Sequence, residues 1–517
     1  MAAPQDRSPD GSQRSASAGL IRSLGLLDAT TIVVGTVIGS GVFIVSADIA
    51  RQVKTPGLLL VVWLLSGLMT LIGALCYAEL ASSFPKAGGQ YVYLREAYGP
   101  LCGFLYGWSM LLVIQTATIA AVAIAFSKFS GVLFPWLSST HWLWRLGKFG
   151  PWGSGSLVLG PYEVGLNTQN LLALLLVVLL TWLNSRGLRV GALVQNIFAF
   201  CKIAALGVII VAGLVFSTTI ARSANFHQFW SASGFLNEHA YQVGGQTVWV
   251  GTLTLIAVAM VGSLFSFDAW NSVTFTAGEV ENPGRNLPVS LILGTSIILL
   301  VYLLTNIAYL CVLPLSGSPG ALNVTHRGIQ FAAEDRVATS MMEAIFGSKA
   351  AVAVAVAVMV STFGSNNGLV LSGARVYYAL AQDGLFFGKV GTVNKCHVPG
   401  AALAVQCVWA CLLCLSGTYS QLLDFVIFAV LLFYILTIIG LFVLRRRASQ
   451  LSRPYRALGY PILPALYVVW ACFIEIQLLR YKPQYTWPGL IIVLLGIPVY
   501  FAWRLRSAQT AVPGVTR

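Results

Sequence analysis

The chain has 517 residues, of which 57% are apolar and 9% charged. Soluble globular domains carry about 25% charged residues, so this composition excludes an ordinary soluble protein and implies a membrane protein. The net charge of +14 comes from Lys and Arg placed between apolar segments and not in one stripe, which fits membrane orientation and argues against a nucleic-acid partner.

In chain order, residues 1–24 are polar and rich in Ser, Arg, Asp and Gly. They read as a disordered cytoplasmic tail, without the apolar core that a signal peptide needs. Twelve apolar segments follow, at about 25–50, 57–83, 102–134, 168–185, 190–216, 251–277, 288–313, 350–381, 400–416, 421–443, 457–479 and 487–503. Their lengths suit helices that cross a hydrocarbon core, which takes about 20 residues.

Span one contains Gly35, Gly39 and Gly41 in Gly-Thr-Val-Ile-Gly-Ser-Gly-Val-Phe. Each interior glycine costs about 0.5–1 kcal/mol relative to alanine, so the helix breaks most readily at Gly39-Ser40-Gly41. Non-helical backbone at membrane depth survives where it lines a cavity or binds something. The other reading is close helix packing through small residues.

After span two, Ser83-Phe84-Pro85-Lys86-Ala87-Gly88-Gly89-Gln90-Tyr91 is a turn segment dense in breakers. The loop 136–166 carries Trp136, Trp142, Trp144 and Trp152, aromatics suited to the headgroup level. Span five holds Lys202. An ammonium at membrane depth costs about 2.5–3.5 kcal/mol on insertion scales, so it faces the bundle interior, the favoured reading, or snorkels to the headgroups.

Span six holds Phe265-Ser266-Phe267-Asp268-Ala269-Trp270-Asn271. Asp268 there either caps a helix that restarts, the favoured reading, or serves as a buried partner for a backbone group or a cation. With five spans per repeat, spans one and six occupy matching positions in inverted repeats, the plan of many secondary transporters. Two interrupted helices offer free N–H groups at one half-helix end and free C=O groups at another, which suits a zwitterion. A carboxylate would rest on the amides of Ser40, Gly41 and Val42, and an ammonium would meet carbonyls near Ile38 and at Phe265, Ser266 and Asp268.

The segment 278–288, Gly-Glu-Val-Glu-Asn-Pro-Gly-Arg-Asn-Leu-Pro, matches no metal or nucleotide motif and reads as structural or gating. Span eight contains Phe363-Gly364-Ser365-Asn366-Asn367-Gly368, where Asn367 is either a pocket or cation-site residue or a packing residue. Spans eleven and twelve show no comparable polar cluster. Cys407, Cys411 and Cys414 share helical spacing but have no His or acid beside them in their span, so no metal site is expected. With the N-terminus inside, nineteen Lys and Arg, Arg375 among them, fall in inner segments and ten in outer ones, which places both termini in the cytoplasm. All five histidines lie in loops, which argues against a hydrolase or acyltransferase constellation in the spans.

Taken together and in order, Gly39 to Phe43, Ala74-Leu-Cys-Tyr-Ala-Glu-Leu80, Gly88 to Tyr91, Phe265 to Asn271, Asn282 to Pro288 and Phe363 to Gly368 make the chain resemble the L-type amino acid transporters of the amino acid, polyamine and organocation superfamily. The resemblance covers roughly residues 20–505. It implies an all-α polytopic membrane protein with twelve transmembrane helices, a 5+5 inverted-repeat (LeuT-like) fold with broken helices one and six, and two further C-terminal helices. The corresponding division is a tail to residue 24, repeats at 25–216 and 251–443 joined by an extracellular loop at 217–250, the last two helices at 444–503, and a cytoplasmic tail at 504–517.

The same resemblance implies sodium-independent exchange of neutral L-amino acids by alternating access across the cell membrane. It assigns the substrate carboxylate to Gly39, Ser40 and Gly41, closure over the substrate to Phe265, a helix-six amide to Asn271, and the place of a sodium ion to Lys202. No cofactor is implied. The sequence departs from the family in three places. The loop 136–166 has no Cys to join a single-span glycoprotein, so no disulfide-linked heavy-chain subunit is expected; Asp268 stands where mammalian members often have Gly; Ser46 replaces a common Pro. A proton-coupled symporter using Lys202 or Asp268 is the alternative within transport, and a receptor or a polytopic membrane enzyme is the alternative outside it.

Overall fold

The computed structural model describes residues 22–150, 162–227, 229–230, 238–243, 246–416 and 419–510. Most of the expected N-terminal tail, the last residues of the C-terminal tail and parts of the loop 217–250 lie outside the described residues.

Span one is a pair of helices, α1 (Leu26–Val37) and α2 (Gly41–Val53), bent by 40° at the three residues between them. Asp28 starts α1 by accepting the Gly25 amide at 3.0 Å, and its charge complements the positive end of the helix. Next comes α3 (Pro56–Ser83), with Pro56 at its first position and Thr55 capping the Leu58 amide at 3.3 Å. A short helix α4 (Gln90–Tyr98) leads into span three, which is α5 (Pro100–Ser109), a π turn at Met110–Ile114, and α6 (Gln115–Leu133). An antiparallel hairpin, β1 (Trp142–Phe149) with β2 (Tyr162–Asn167), precedes α7 (Thr168–Ser185) and α8 (Leu188–Val215). Then follow α9 (Thr219–Phe226) and a second antiparallel hairpin, β3 (Glu238–Val243) with β4 (Gln246–Gly251).

Span six is α10 (Thr252–Phe267) and a single turn α11 (Ser272–Phe275); α12 (Pro283–Val312) is span seven. Two small helices, α13 (Val324–Arg327) and α14 (Val337–Phe346), lie before α15 (Ser348–Gln382), and α16 (Gly400–Ser416), α17 (Tyr419–Arg447), α18 (Ile462–Tyr481) and α19 (Pro483–Thr510) complete the chain. Among the described residues nine helices are long and apolar enough to cross a membrane, and the bent pair α1–α2 makes a tenth. The shorter apolar helices α10 and α16 bring the spans to twelve, in the order read from the sequence.

Three features differ from that reading. The described parts of the tryptophan-rich loop and of the segment before span six pair as antiparallel strands, Trp152 lying outside the described residues. Span six stops being helical at Phe267, ten residues short of its expected end. Arg375, counted among the loop charges, sits inside α15 with 1% of its surface exposed.

The end of the bundle at which α1 begins is called the near face below, and the opposite end the far face. The interrupted spans are fastened together at the near face. Leu24 and Val280 form a parallel β-bridge. The Ser23 and Leu24 amides donate to the Glu279 carbonyl at 2.9 and 3.0 Å, and the Glu281 amide donates to the Leu24 carbonyl at 2.9 Å. Against this pair lies a second set of helices in which α15 packs along α6 and α8.

Candidate substrate site between the interrupted helices

At the break in span one the orphaned carbonyls of α1 are met from neighbouring helices, as buried backbone groups require. Ser365 on α15 donates to the Ile38 carbonyl at 2.7 Å, and Ser361 donates to the same oxygen at 3.0 Å. The Lys202 ammonium, 1% exposed, donates to the Gly35 carbonyl and, at 2.8 Å, to Ser365 Oγ. Lys202 therefore lies in the interior, on the α1 break, and does not snorkel.

In span six Asp268 leaves the helix with φ −67° and ψ 171°, and Ala269 takes a left-handed φ of +66°. A β-carbon there clashes with the following carbonyl, costing roughly 1–2 kcal/mol. Asp268 ends α10 and does not cap the restarted turn, whose N-cap is Asn271 without a capping side-chain bond. Its Oδ1 accepts from the Tyr434 hydroxyl at 2.8 Å. The Tyr302 hydroxyl lies 3.1 Å from both the Val37 and the Ser266 carbonyls, joining the two breaks.

Between the breaks is a small cavity, lined among others by Gly39, Ser40, Gly41, Phe265, Ser266 and Asp268. It adjoins a second, lined by Gln90, Gln115, Asn271, Ser272 and Tyr434, with Thr118, Asp268, Ala269 and Leu369 common to both. A third lies between Thr70, Trp270 and Tyr467 and again reaches Asp268 and Tyr434. Asp268 thus borders all three. Thr36 Oγ1 at the first cavity and Ser272 Oγ at the second are buried hydroxyls with no hydrogen-bond partner among the described residues.

Of the residues singled out in the sequence, Gly39, Ser40, Gly41, Phe265, Ser266 and Asp268 meet at one cavity, and Asn271 lines the next, donating to Gln90 Oε1 at 3.0 Å. Ile38 and Val42 line none of the three cavities, and the Val42 carbonyl accepts from Tyr309 at 3.2 Å. Asn367 lines none of the three cavities. It donates to the Gly191 carbonyl at 3.1 Å and accepts from Asn184 at 2.8 Å, tying α15 to α8 and α7. Thr36, Thr118, Tyr302 and Tyr434 went unnoticed in the sequence, because single hydroxyls in apolar helices carry no spacing signal. Among the described residues no cluster of His, Cys, Asp or Glu could hold a metal ion.

The arrangement, two interrupted helices facing one cavity with Lys202 on the first break, agrees with sequence similarity along nearly the whole length. The family model described as "Amino acid permease" matches residues 24–501. The chain belongs to the amino acid permease family. It is 30% identical to "Large neutral amino acids transporter small subunit 2" of Homo sapiens, over 96% of this chain and 83% of that protein. It is 32% identical to "Asc-type amino acid transporter 1" of Mus musculus, over 94% and 82%, and 27% identical to "b(0,+)-type amino acid transporter 1" of Homo sapiens, over 96% and 91%. The permease is thus a multi-pass membrane transporter of amino acids and not an enzyme.

Proposed function

We propose that the permease exchanges neutral L-amino acids across the cell membrane by alternating access, independently of sodium, with the near face and both termini in the cytoplasm. Residues 25–216 and 251–443 are read as its inverted repeats, with the cavity between Gly39–Gly41 and Phe265–Asp268 holding the substrate's α-carboxylate and α-ammonium. The observation that carries this reading is the cavity itself: it is bounded by the first turn of α2, whose N–H groups suit a carboxylate, and by the end of α10, where carbonyls suit an ammonium. The Lys202 side chain donates to the Gly35 carbonyl at the α1 break, the position that the resemblance gives to a sodium ion, which supports transport without one. The chain has no Cys between Cys102 and Cys201, and on this ground it is proposed to work without a disulfide-linked subunit at the loop after span three.

One observation favours a second reading of specificity and coupling. Asp268 borders each of the three cavities described above, so a substrate side chain that donates hydrogen bonds or carries positive charge would meet an acceptor there, and the same carboxyl could carry a proton in symport.

Uptake of labelled amino acids by proteoliposomes of the purified chain tests these readings. Exchange predicts uptake only into vesicles preloaded with amino acid, unchanged by sodium or by a pH gradient. Accumulation in empty vesicles driven by an inward proton gradient overturns exchange in favour of symport. Competition by lysine or arginine stronger than by leucine moves the specificity to the second reading. Absence of uptake without an added partner protein overturns the stand-alone reading.

A further inference from the structure

The cavities account for Asp268, and ion pairs account for Glu79 and Glu279. Glu475 on α18 is accounted for by neither. It falls on the buried stripe Tyr467, Ala471, Ile474, Glu475 and Leu478, the spacing of a helix face turned toward other helices and away from lipid. That face packs on α17, α10 and α3. Glu475 is 7% exposed, and both of its carboxyl oxygens are buried without a hydrogen-bond partner among the described residues. No described Lys, Arg or His lies within ion-pair distance of it. The titratable side chains that interact with it are Tyr467 and Cys472, both on its own helix.

An ionised carboxylate in such a place has neither water nor a cation to offset its desolvation, a cost so large that buried groups of this kind neutralise instead. We infer that Glu475 is a proton-binding site inside the helix bundle, held as the neutral acid and distinct from the substrate cavities. It lies six residues, about 9 Å, before the end of α18 at Tyr481, close to the far face. Tyr467, two turns earlier on the same stripe, lines the third cavity. The inference stands whether transport is exchange or symport.

A protonated carboxyl in an apolar setting reacts with a hydrophobic carbodiimide. The carboxyl O–H adds across one C=N bond, so that its oxygen bonds the central carbon and its proton passes to nitrogen. The acyl group then shifts from oxygen to nitrogen to leave a stable N-acylurea, with no leaving group. A paired carboxylate lacks the proton that starts this addition. The test treats the full chain in liposomes at neutral pH with N,N′-dicyclohexylcarbodiimide, maps adducts by peptide mass spectrometry, and records the infrared carbonyl band of protonated carboxylic acid. Glu475→Gln, of nearly the same shape, is the comparison.

The expected result is an adduct on the peptide carrying Glu475 in the wild type, absent in Glu475→Gln, together with loss of one acid's worth of infrared band in that variant. An infrared band unchanged by Glu475→Gln overturns the inference, because the carboxyl is then ionised. The infrared comparison decides even where the reagent fails to reach the carboxyl.

Discussion

Gly39 and Gly41 stand two residues apart, yet a side chain would meet different surroundings at each. A β-carbon on Gly41 would fall 2.2 Å from Ser266 Oγ and 2.9 Å from Ser266 Cα, whereas on Gly39 its nearest neighbour would be Ser365 Oγ at 3.4 Å. Overpacking of this kind costs about 1–3 kcal/mol. Gly41→Ala is therefore expected to lower the melting temperature of the purified chain by several degrees, with Gly39→Ala close to wild type; the reverse order would mean that α2 and α10 touch only loosely. Gly41→Leu would force the two helices apart. Lys202→Met keeps much of the volume of Lys202 and removes its donors to Gly35 and Ser365. Hydrogen bonds to charged groups are worth about 1.5–3 kcal/mol, so uptake is expected to fall by about tenfold to a hundredfold at unchanged expression. Normal uptake in that variant would leave Lys202 a packing role only. The interior place of Lys202 could be read in the sequence because a charge within an apolar span has few alternatives. Asn367 could not be assigned, since which helix its amide faces depends on how α7 and α8 pack. Glu475 passed unremarked for a related reason: a single acid at the end of a span reads equally as an interface residue.

At the scale of elements, the interruption of span one was legible in its glycines, and that of span six only in its polar residues. The chain there makes its left-handed turn at Ala269 with no glycine to announce it. Ala269→Gly is expected to keep uptake and raise thermal stability slightly, because glycine takes that conformation without the steric penalty. A loss of stability would mean that the methyl group contributes more by packing than it costs in strain. The hairpins were not legible, because Trp142–Phe149 mixes aromatic and basic residues much as an interfacial loop does. The element-level contact of most consequence joins the segment after span six to α15. Arg375 donates to Glu279 at 2.9 Å through Nε and 3.2 Å through Nη2, and both side chains are 1% exposed. Breaking a buried pair by removing one partner costs about 3–5 kcal/mol. Arg375→Gln should thus destabilise strongly, and the double variant Glu279→Gln with Arg375→Gln should recover part of the loss. Equal and additive losses in a double-mutant cycle of melting temperatures would show the pair to be uncoupled.

At the scale of the whole molecule, the count and order of the spans followed from hydropathy alone, because in lipid a crossing segment must be helical and long enough. What joins the spans did not follow, since it rests on contacts between residues far apart in sequence. The interrupted spans are held to one another at the near face by the Leu24–Val280 bridge, and at the breaks by the Tyr302 hydroxyl between Val37 and Ser266 and by the seat of Gly41 on Ser266. In a background with the nine native cysteines replaced, a disulfide between Leu24→Cys and Val280→Cys is expected to leave uptake intact, because it reinforces a join that persists through the cycle. Arrest by this cross-link would mean that spans one and six part company during transport.

Two beams joined at one end and at their middles move together. Under the alternating access proposed above, tilting them toward one side of the membrane is the same displacement as tilting them away from the other, so the two sides are not open at once and the ion gradients across the membrane are spared.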